Sequence, residues 1–224
     1  MKHPSLKNRF LVIAFDIDGT LAETDEYYID SLFRILRPCF FWLSPTSAQK
    51  VIRKLVMIGE TISSFFYFLA DQIQIDFLFN KLHNRMSQSS SEYRFQLIED
   101  CVPSLLELRK KYRLAIVTAG GETSTQAFLK RIDVSGLFEI VVTSQTCRYT
   151  KPSGQPLRYV AEQMAVPIDR CLMVGDTIFD LGTAKHAGAS FVAVRSGLDG
   201  DWILRLFGAK IILDSIAELP GILL

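Results

Sequence analysis

The sequence predicts an α/β fold in which a parallel sheet carries helices on both faces and an all-helical segment is inserted after the first strand. Three observations lead to this prediction. Short apolar runs alternate with helical segments in the second half of the chain, which is typical of a parallel sheet. Helical spacing alone occupies about seventy residues that follow the first apolar run. The length of 224 residues, 49% of them hydrophobic, suits one core plus an insertion.

The first strand is predicted over residues 10–15, a short apolar run that is partly β-branched, as buried strands are. From residue 22 on, apolar side chains recur at the i, i+3, i+4 spacing of amphipathic helices, without strand-like alternation. We therefore predict a core formed by residues 1–21 and 95–224, and a helical cap domain formed by residues 22–94.

Strands and helices alternate through the rest of the core. Strands are predicted over residues 114–118, 138–143, 171–176, 191–194 and 210–213. Helices are predicted over residues 102–111, 123–131, 156–164 and 178–187, with a last helical turn over 215–219. This alternation predicts a Rossmann-like parallel sheet covered on both faces, in which ligands bind at the carboxyl ends of the strands.

Composition and charge predict a cytoplasmic protein with neither nucleic-acid nor membrane partners. Lys and Arg (25) nearly balance Asp and Glu (24), so a polyanion-binding surface is not indicated. The N-terminus lacks the apolar core of a signal peptide, and no apolar stretch reaches the ~18 residues of a membrane span. The four cysteines contain no CxxC pair, so we expect reduced thiols. They are Cys39, Cys101, Cys147 and Cys171.

Two carboxylates, Asp16 and Asp18, follow directly after the first predicted strand, and Gly19 allows a sharp turn there. Unpaired carboxylates beside a buried strand are costly unless a cation or a reaction uses them. Thr118 and Asp176 also lie at the ends of predicted strands. Because the carboxyl ends of parallel strands meet at one edge of a sheet, these residues can share a site with Asp16.

Four ordered motifs carry a family resemblance. They are residues 16–21 (DIDGTL), Thr118, Lys151-Pro152 and residues 175–180 (GDTIFD). This set resembles the motifs of the haloacid dehalogenase-like hydrolase superfamily over nearly the whole chain. The segment between the first two motifs is similar to the class I helical cap of that superfamily. The nearest branch is the phosphoglycolate phosphatase-like and pyrophosphatase-like one.

The resemblance implies a phosphatase whose nucleophile is Asp16. A carboxylate nucleophile divides phosphate ester hydrolysis into two steps through an aspartyl-phosphate. Asp18 is then the general acid that protonates the leaving oxygen, and the base that activates water in the second step. The true dehalogenases of the superfamily lack this second Asp, which makes halide displacement the weaker expectation.

The same resemblance implies Mg²⁺ as the cofactor, since this ion prefers oxygen ligands and often binds carboxylates together with phosphate and water. The metal ligands are then Asp16, Asp176, the backbone carbonyl of Asp18, and Asp180 directly or through water.

The expected phosphate-binding groups are the hydroxyl of Thr118, the backbone amides at Ala119 and Gly120, and Lys151, which neutralises developing charge. Thr118 is followed by Ala where the family commonly has Asn.

The substrate selectors are expected in the cap, at Gly59, Glu60 and Thr61, between two predicted helices. The overall expectation is a Mg²⁺-dependent phosphatase of a small phosphorylated metabolite, with phosphoglycolate first by family analogy. The alternatives are an inorganic pyrophosphatase, a nucleotidase, a phosphosugar mutase or a non-catalytic binding protein. We expect a monomer or homodimer.

Overall fold

The computed structural model describes residues 6–23, 44, 96–197 and 199–224. Nearly all of the predicted cap, residues 22–94, therefore lies outside the described residues, and with it the expected selectors Gly59, Glu60 and Thr61. The domain boundaries remain predictions. Within the described part of the chain, no helix is both long enough and apolar enough to cross a membrane.

The described strands form a six-stranded parallel sheet and a separate two-stranded antiparallel pair. In chain order they are β1 (Val12–Phe15), β2 (Ala22–Glu23), β3 (Gln96–Leu97), β4 (Arg113–Val117), β5 (Phe138–Val142), β6 (Cys171–Gly175), β7 (Ser190–Val194) and β8 (Ile212–Leu213). The large sheet has the order β5-β4-β1-β6-β7-β8, and β2 pairs with β3. The predicted Rossmann-like core is confirmed.

Helices cover both faces of the sheet. The described α-helices are α1 (Cys101–Arg109), α2 (Glu122–Arg131), α3 (Gln155–Gln163), α4 (Ile178–Ala187), α5 (Asp201–Leu206) and α6 (Leu219–Leu223). Alternate residues of β1 face opposite sides: Ile13 and Phe15 pack with α1, α2 and α6, while Val12 and Ala14 pack with α3 and α4. A third cluster joins α4 to α5.

The position of β1 at the centre of the sheet fixes the functional edge. Phe15 is in register with Ile116 of β4 on one side and with Val174 of β6 on the other. After β4 the chain continues to β5 on one side of β1, and after β6 it continues to β7 on the other side. The edge where β1, β4 and β6 end is therefore a topological switch point, where α/β proteins bind ligands. The residues that follow β1, β4 and β6 therefore emerge side by side.

The structure differs from the prediction at short elements. Helix α5 was not predicted, because six residues are too few to show a helical period and two of its large apolar side chains, Trp202 and Leu206, are exposed. The β2-β3 pair was not predicted either, since each strand has only two residues. The last strand is confined to Ile212–Leu213 within the predicted 210–213.

Candidate active site

Asp16 is the first residue after β1, and its backbone N–H donates to the carbonyl of Val174 at 3.0 Å. Its side chain is buried. One carboxylate oxygen, Oδ2, is 2.8 Å from Nζ of Lys151. The other, Oδ1, is buried and has no hydrogen-bond partner among the described residues. A buried carboxylate oxygen without a partner is costly, so this atom is suited to a ligand.

Lys151 lies between two carboxylates. Its Nζ is 2.7 Å from Oδ1 of Asp180 as well as 2.8 Å from Asp16. Burial alone would lower the pKa of Lys151, but the charges of Asp16 and Asp180 outweigh that effect and raise it. The Lys151 side chain therefore stays protonated and positively charged within the site.

Asp176 follows β6 and is almost fully buried. The hydroxyl of Thr20 donates to its Oδ1 at 3.1 Å. The turn after β1 contacts it from the same side: a Cβ added to Gly19 would lie 2.4 Å from Oδ2 of Asp176. Gly19 also has a φ of 76°, which favours glycine, so both space and backbone conformation require glycine here.

Asp180 is held by the first turn of α4. Thr177 is the N-cap residue, and its N–H and hydroxyl donate to Oδ2 of Asp180 at 3.1 and 2.7 Å. The N–H of Asp180 in turn approaches Oγ1 of Thr177 at 3.4 Å, which completes a capping box. Gly175 leaves the room for this arrangement, because a Cβ there would lie 2.3 Å from Cγ of Asp180.

Asp16, Asp176 and Asp180 can together hold a cation. Each offers a carboxylate oxygen, and the three atoms lie within 4.8 Å of one another in buried positions. All-oxygen donors of this kind suit a hard divalent ion such as Mg²⁺. Among the described residues, Oδ1 of Asp16 has no hydrogen-bond partner and three carboxylates surround the one cation Lys151, and both observations fit such an ion.

Without a bound cation, the pKa of Asp16 is raised from 3.8 to about 7. Burial is the main cause; Lys151 lowers the pKa, while the charges of Asp180 and Asp18 raise it. A cation beside Oδ1 would favour the ionised form, which is the form that can act as a nucleophile.

Thr118 follows β4 directly and is buried. Its Oγ1 accepts the N–H of Gly120 at 3.0 Å, so hydroxyl and amide, both predicted to bind phosphate, bond to each other in this structure. A small pocket lies beside them, lined among others by Asp18, Ile17 and Thr125. Asp18, the predicted general acid, is partly exposed and faces this pocket.

The segment that carries Lys151 is packed against α4. The Lys151–Pro152 peptide bond is cis, and the carbonyl of Pro152 lies 3.0 Å from Nδ1 of His186. Gly154 approaches the end of α4 so closely that a Cβ would lie 2.4 Å from the backbone nitrogen of Ala187. Lys151 and Asp180 are thus attached to the same helix, which fixes the distance between them.

The predicted core residues come together as far as the structure describes them. Asp16, Lys151, Asp176 and Asp180 form one cluster, with Thr118 and Asp18 at an adjoining pocket. Among the described residues, Cys101, Cys147 and Cys171 form no disulfide.

Sequence reasoning missed three residues that hold this cluster, Thr20, Thr177 and Asp199. Thr177 had a readable signal, because Thr followed three residues later by an acid marks a helix start. Thr20 lies inside the motif of residues 16–21, but neither it nor Asp199 shows a local pattern that names its partner, since each acts on a residue at least 21 positions away.

Comparison with known proteins agrees with this geometry. The family model described as haloacid dehalogenase-like hydrolase matches residues 13–194. The chain is 27% identical over 215 residues to the pyrophosphatase PpaX of Bacillus mycoides (strain KBAB4), a match that covers 94% of this chain and 95% of the relative. This match therefore also includes most of residues 22–94.

Solved structures share the fold. A haloacid dehalogenase-like family hydrolase from Streptococcus pneumoniae matches with a TM-score of 0.66 and 20% identity, covering 95% of this chain and 98% of that one. A predicted phosphoglycolate phosphatase from Haemophilus somnus 129pt matches with a TM-score of 0.65 and 20% identity, covering 96% and 98%. The resemblance read from the four motifs is confirmed: the chain belongs to the haloacid dehalogenase-like hydrolase family and is an enzyme of the hydrolase class.

Proposed function

We propose that the protein is a Mg²⁺-dependent phosphatase that hydrolyses a small phosphorylated metabolite through an aspartyl-phosphate on Asp16. The observation that carries the proposal is the meeting of Asp16, Lys151, Asp176 and Asp180 at the carboxyl edge of the sheet. A scaffold has no need for buried carboxylates in this number around one lysine, because each is costly to bury. A non-catalytic binding protein is therefore the weaker alternative.

In the first step, an oxygen of Asp16 attacks the phosphorus atom of the substrate. The bond between phosphorus and the leaving oxygen breaks, and the carboxyl group of Asp18 gives its proton to that oxygen. Lys151 balances negative charge at the carboxylates during the transfer. Thr118 and the amides of Ala119 and Gly120 are the proposed hydrogen-bond donors to the phosphoryl oxygens.

In the second step, water attacks the phosphorus atom of the aspartyl-phosphate. The carboxylate of Asp18 takes a proton from this water, and the bond between phosphorus and the Asp16 oxygen breaks. Inorganic phosphate leaves and both aspartates return to their starting protonation states. One residue thus acts as acid and then as base, which requires its exposure to both the leaving group and water.

Mg²⁺, when bound, reduces the repulsion between the carboxylates and the phosphoryl oxygens. Asp16 and Asp176 would hold it directly, together with the backbone carbonyl of Asp18. Asp180 would hold it directly or through water, since its two oxygens already accept hydrogen bonds from Lys151 and Thr177.

Two substrates lead the proposal. The curated relatives named pyrophosphatase PpaX favour pyrophosphate, in which the leaving group is itself a phosphate. The similar structure named as a predicted phosphoglycolate phosphatase favours phosphoglycolate. Pyrophosphate and phosphoglycolate are both small and carry at least two negative charges. Asp16 could attack the phosphorus atom of either one.

The test is phosphate release from a panel that includes pyrophosphate, phosphoglycolate, sugar phosphates and nucleotides, with MgCl₂ or with EDTA. We expect release that requires Mg²⁺ and falls at least a thousandfold in Asp16→Asn, because the amide is not a nucleophile. Asp169→Asn is the matched control: it makes the same substitution at an exposed position, and its activity should equal that of the native chain.

Release that persists in Asp16→Asn would overturn the aspartyl-phosphate mechanism. Folded protein that releases phosphate from no substrate would favour the binding-protein alternative. Conversion of a sugar phosphate to its isomer without release would favour the mutase.

A further inference from the structure

The loop between β7 and α5, described at residues 195–197 and 199–200, lies against the proposed cation site. The hydroxyl of Ser196 donates to the carbonyl of Gly19 at 2.7 Å. Gly197 lies so close to Asp176 that a Cβ there would be 1.8 Å from its Oδ2. The loop therefore contacts both the turn after β1 and the carboxylate after β6.

Asp199 of this loop is buried, with 6% of its surface exposed, although it is charged at neutral pH in ordinary surroundings. Its Oδ2 accepts the backbone N–H of Ile178 at 2.7 Å. Ile178 is the first residue of α4, and its N–H has no acceptor inside the helix. Asp199 thus anchors the chain at the midpoint between Asp176 and Asp180.

Helix capping alone does not account for a buried acid at this position. Thr177 already caps α4, and a neutral acceptor would satisfy the Ile178 amide without the cost of burying a charge. Burial raises the pKa of Asp199, the hydrogen bond from Ile178 lowers it, and the nearby charge of Asp180 raises it further. A positive neighbour at the site would relieve that repulsion.

We propose that Asp199 is a positioning residue of the cation site: by holding the Ile178 amide, its carboxylate sets the separation of Asp176 and Asp180. Asp199 is neither one of the proposed metal ligands nor assigned to a step of the reaction. The proposal rests on the metal site of the proposed function. Groups that orient metal ligands from outside the ligand set commonly change metal affinity by about 10–100-fold when they are removed.

The test measures cation binding in the absence of substrate. Mn²⁺ is the probe, its free concentration read by electron paramagnetic resonance, and Mg²⁺ affinity follows by competition. Asp199→Ala removes the anchor, and we expect its Kd for Mn²⁺ to rise about tenfold or more. Asp199→Asn keeps an oxygen that can accept from Ile178 but loses the charge, so a smaller rise, of about threefold, is expected.

Asp201→Asn is the matched control on the adjoining turn. It removes the same charge from a side chain that pairs with Arg195 rather than with the Ile178 amide, and its Kd should stay within about twofold of the native value. Thermal unfolding of each metal-free variant separates loss of anchoring from loss of fold.

If Asp199→Ala and Asp199→Asn bind Mn²⁺ as Asp201→Asn does, the positioning role is wrong. If Asp199→Ala does not fold, Asp199→Asn decides by the same comparison. The outcome is independent of substrate: weakened Mn²⁺ binding in a protein that hydrolyses nothing would support this role while the phosphatase fails. If the native protein is an active phosphatase and its Asp199 variants bind Mn²⁺ as tightly as it does, the positioning role is wrong and the phosphatase stands.

Discussion

Asp16 combines two requirements that oppose each other, burial and negative charge. Its Oδ2 is paired with Lys151, but its buried Oδ1 has no hydrogen-bond partner among the described residues. The raised pKa of the carboxyl group is the consequence, because burial outweighs the attraction of Lys151. In the metal-free protein, ionisation of the Asp16 carboxyl group therefore lowers the free energy of unfolding.

The pH dependence of stability should expose that loss. The pKa of Asp16 is 3.8 in the reference state and about 7 in the folded protein, so the folded state holds the proton more tightly. The resulting stabilisation is complete below pH ~4 and disappears as the pH rises through ~7. Asp16→Asn is neutral throughout, so in EDTA its free energy of unfolding should gain about 3 kcal/mol on the native protein between pH 5 and 8.

Urea unfolding at several pH values measures this difference, with Asp169→Asn as the reference substitution. Its difference from the native protein should not change over the same range, since its side chain is exposed. If the free energy of unfolding of Asp16→Asn minus that of the native protein stays constant or falls as the pH rises, the assignment is contradicted.

At the residue scale, what was predictable depended on position along the chain. Asp16, Thr118 and Asp176 could be placed because each ends an apolar run, and parallel strands bring such ends together. The hydrogen bond from Thr20 to Asp176 spans 156 positions and leaves no local pattern. Pairing of Lys151 with two acids likewise needed the structure, because sequence spacing does not report which carboxylates surround a lysine.

At the scale of elements, helix α4 contacts the site at both of its ends. Its first turn holds Asp180 through the capping box with Thr177, and its last turn receives the segment that carries Lys151. A change at the cap should therefore affect both helix stability and the cation site.

We expect Thr177→Ala to lower the free energy of unfolding by about 1 kcal/mol, through loss of the cap. It should also weaken Mg²⁺ binding, because the carboxylate of Asp180 loses the hydrogen bond from the Thr177 hydroxyl. Ser215→Ala is the control: it removes a cap oxygen that accepts the N–H of Ala217 and bonds to none of the clustered carboxylates, so it should cost stability without changing the Mg²⁺ requirement. Equal Mg²⁺ requirements for the two variants would show that Thr177 serves the helix alone.

Element prediction succeeded where several residues share one pattern. The helix predicted over residues 178–187 has those bounds in the structure, because Thr177 and Gly188 supply recognisable start and stop signals. Strand β8 and helix α5 are too short for periodicity, so tertiary packing rather than local pattern defines them.

For the whole molecule, the proposed cation site would couple ligand binding to folding. Three buried carboxylates from distant parts of the chain meet only in the folded state. Mg²⁺ at a hundred times its Kd should therefore stabilise the protein by about 2.7 kcal/mol, which corresponds to a rise in Tm of roughly 5–10 °C for a chain of this size. KCl of equal ionic strength is the salt control.

The same measurement on Asp176→Asn tests the site. This variant should lose most of the Mg²⁺-dependent rise in Tm, while Asp169→Asn should keep it. A rise that is the same in all three proteins would mean that Mg²⁺ binds elsewhere.

The small β2-β3 pair has a consequence for how this architecture can be changed. Glu23 and Gln96 are register partners in adjacent antiparallel strands, so the two ends of the intervening stretch lie side by side. A tight two-residue turn such as Asn-Gly could join them as an ordinary hairpin. Replacement of residues 24–95 between these two register partners is therefore expected to leave the carboxylates of the site in place. A different insertion at these positions is expected to change substrate specificity without changes to the catalytic residues.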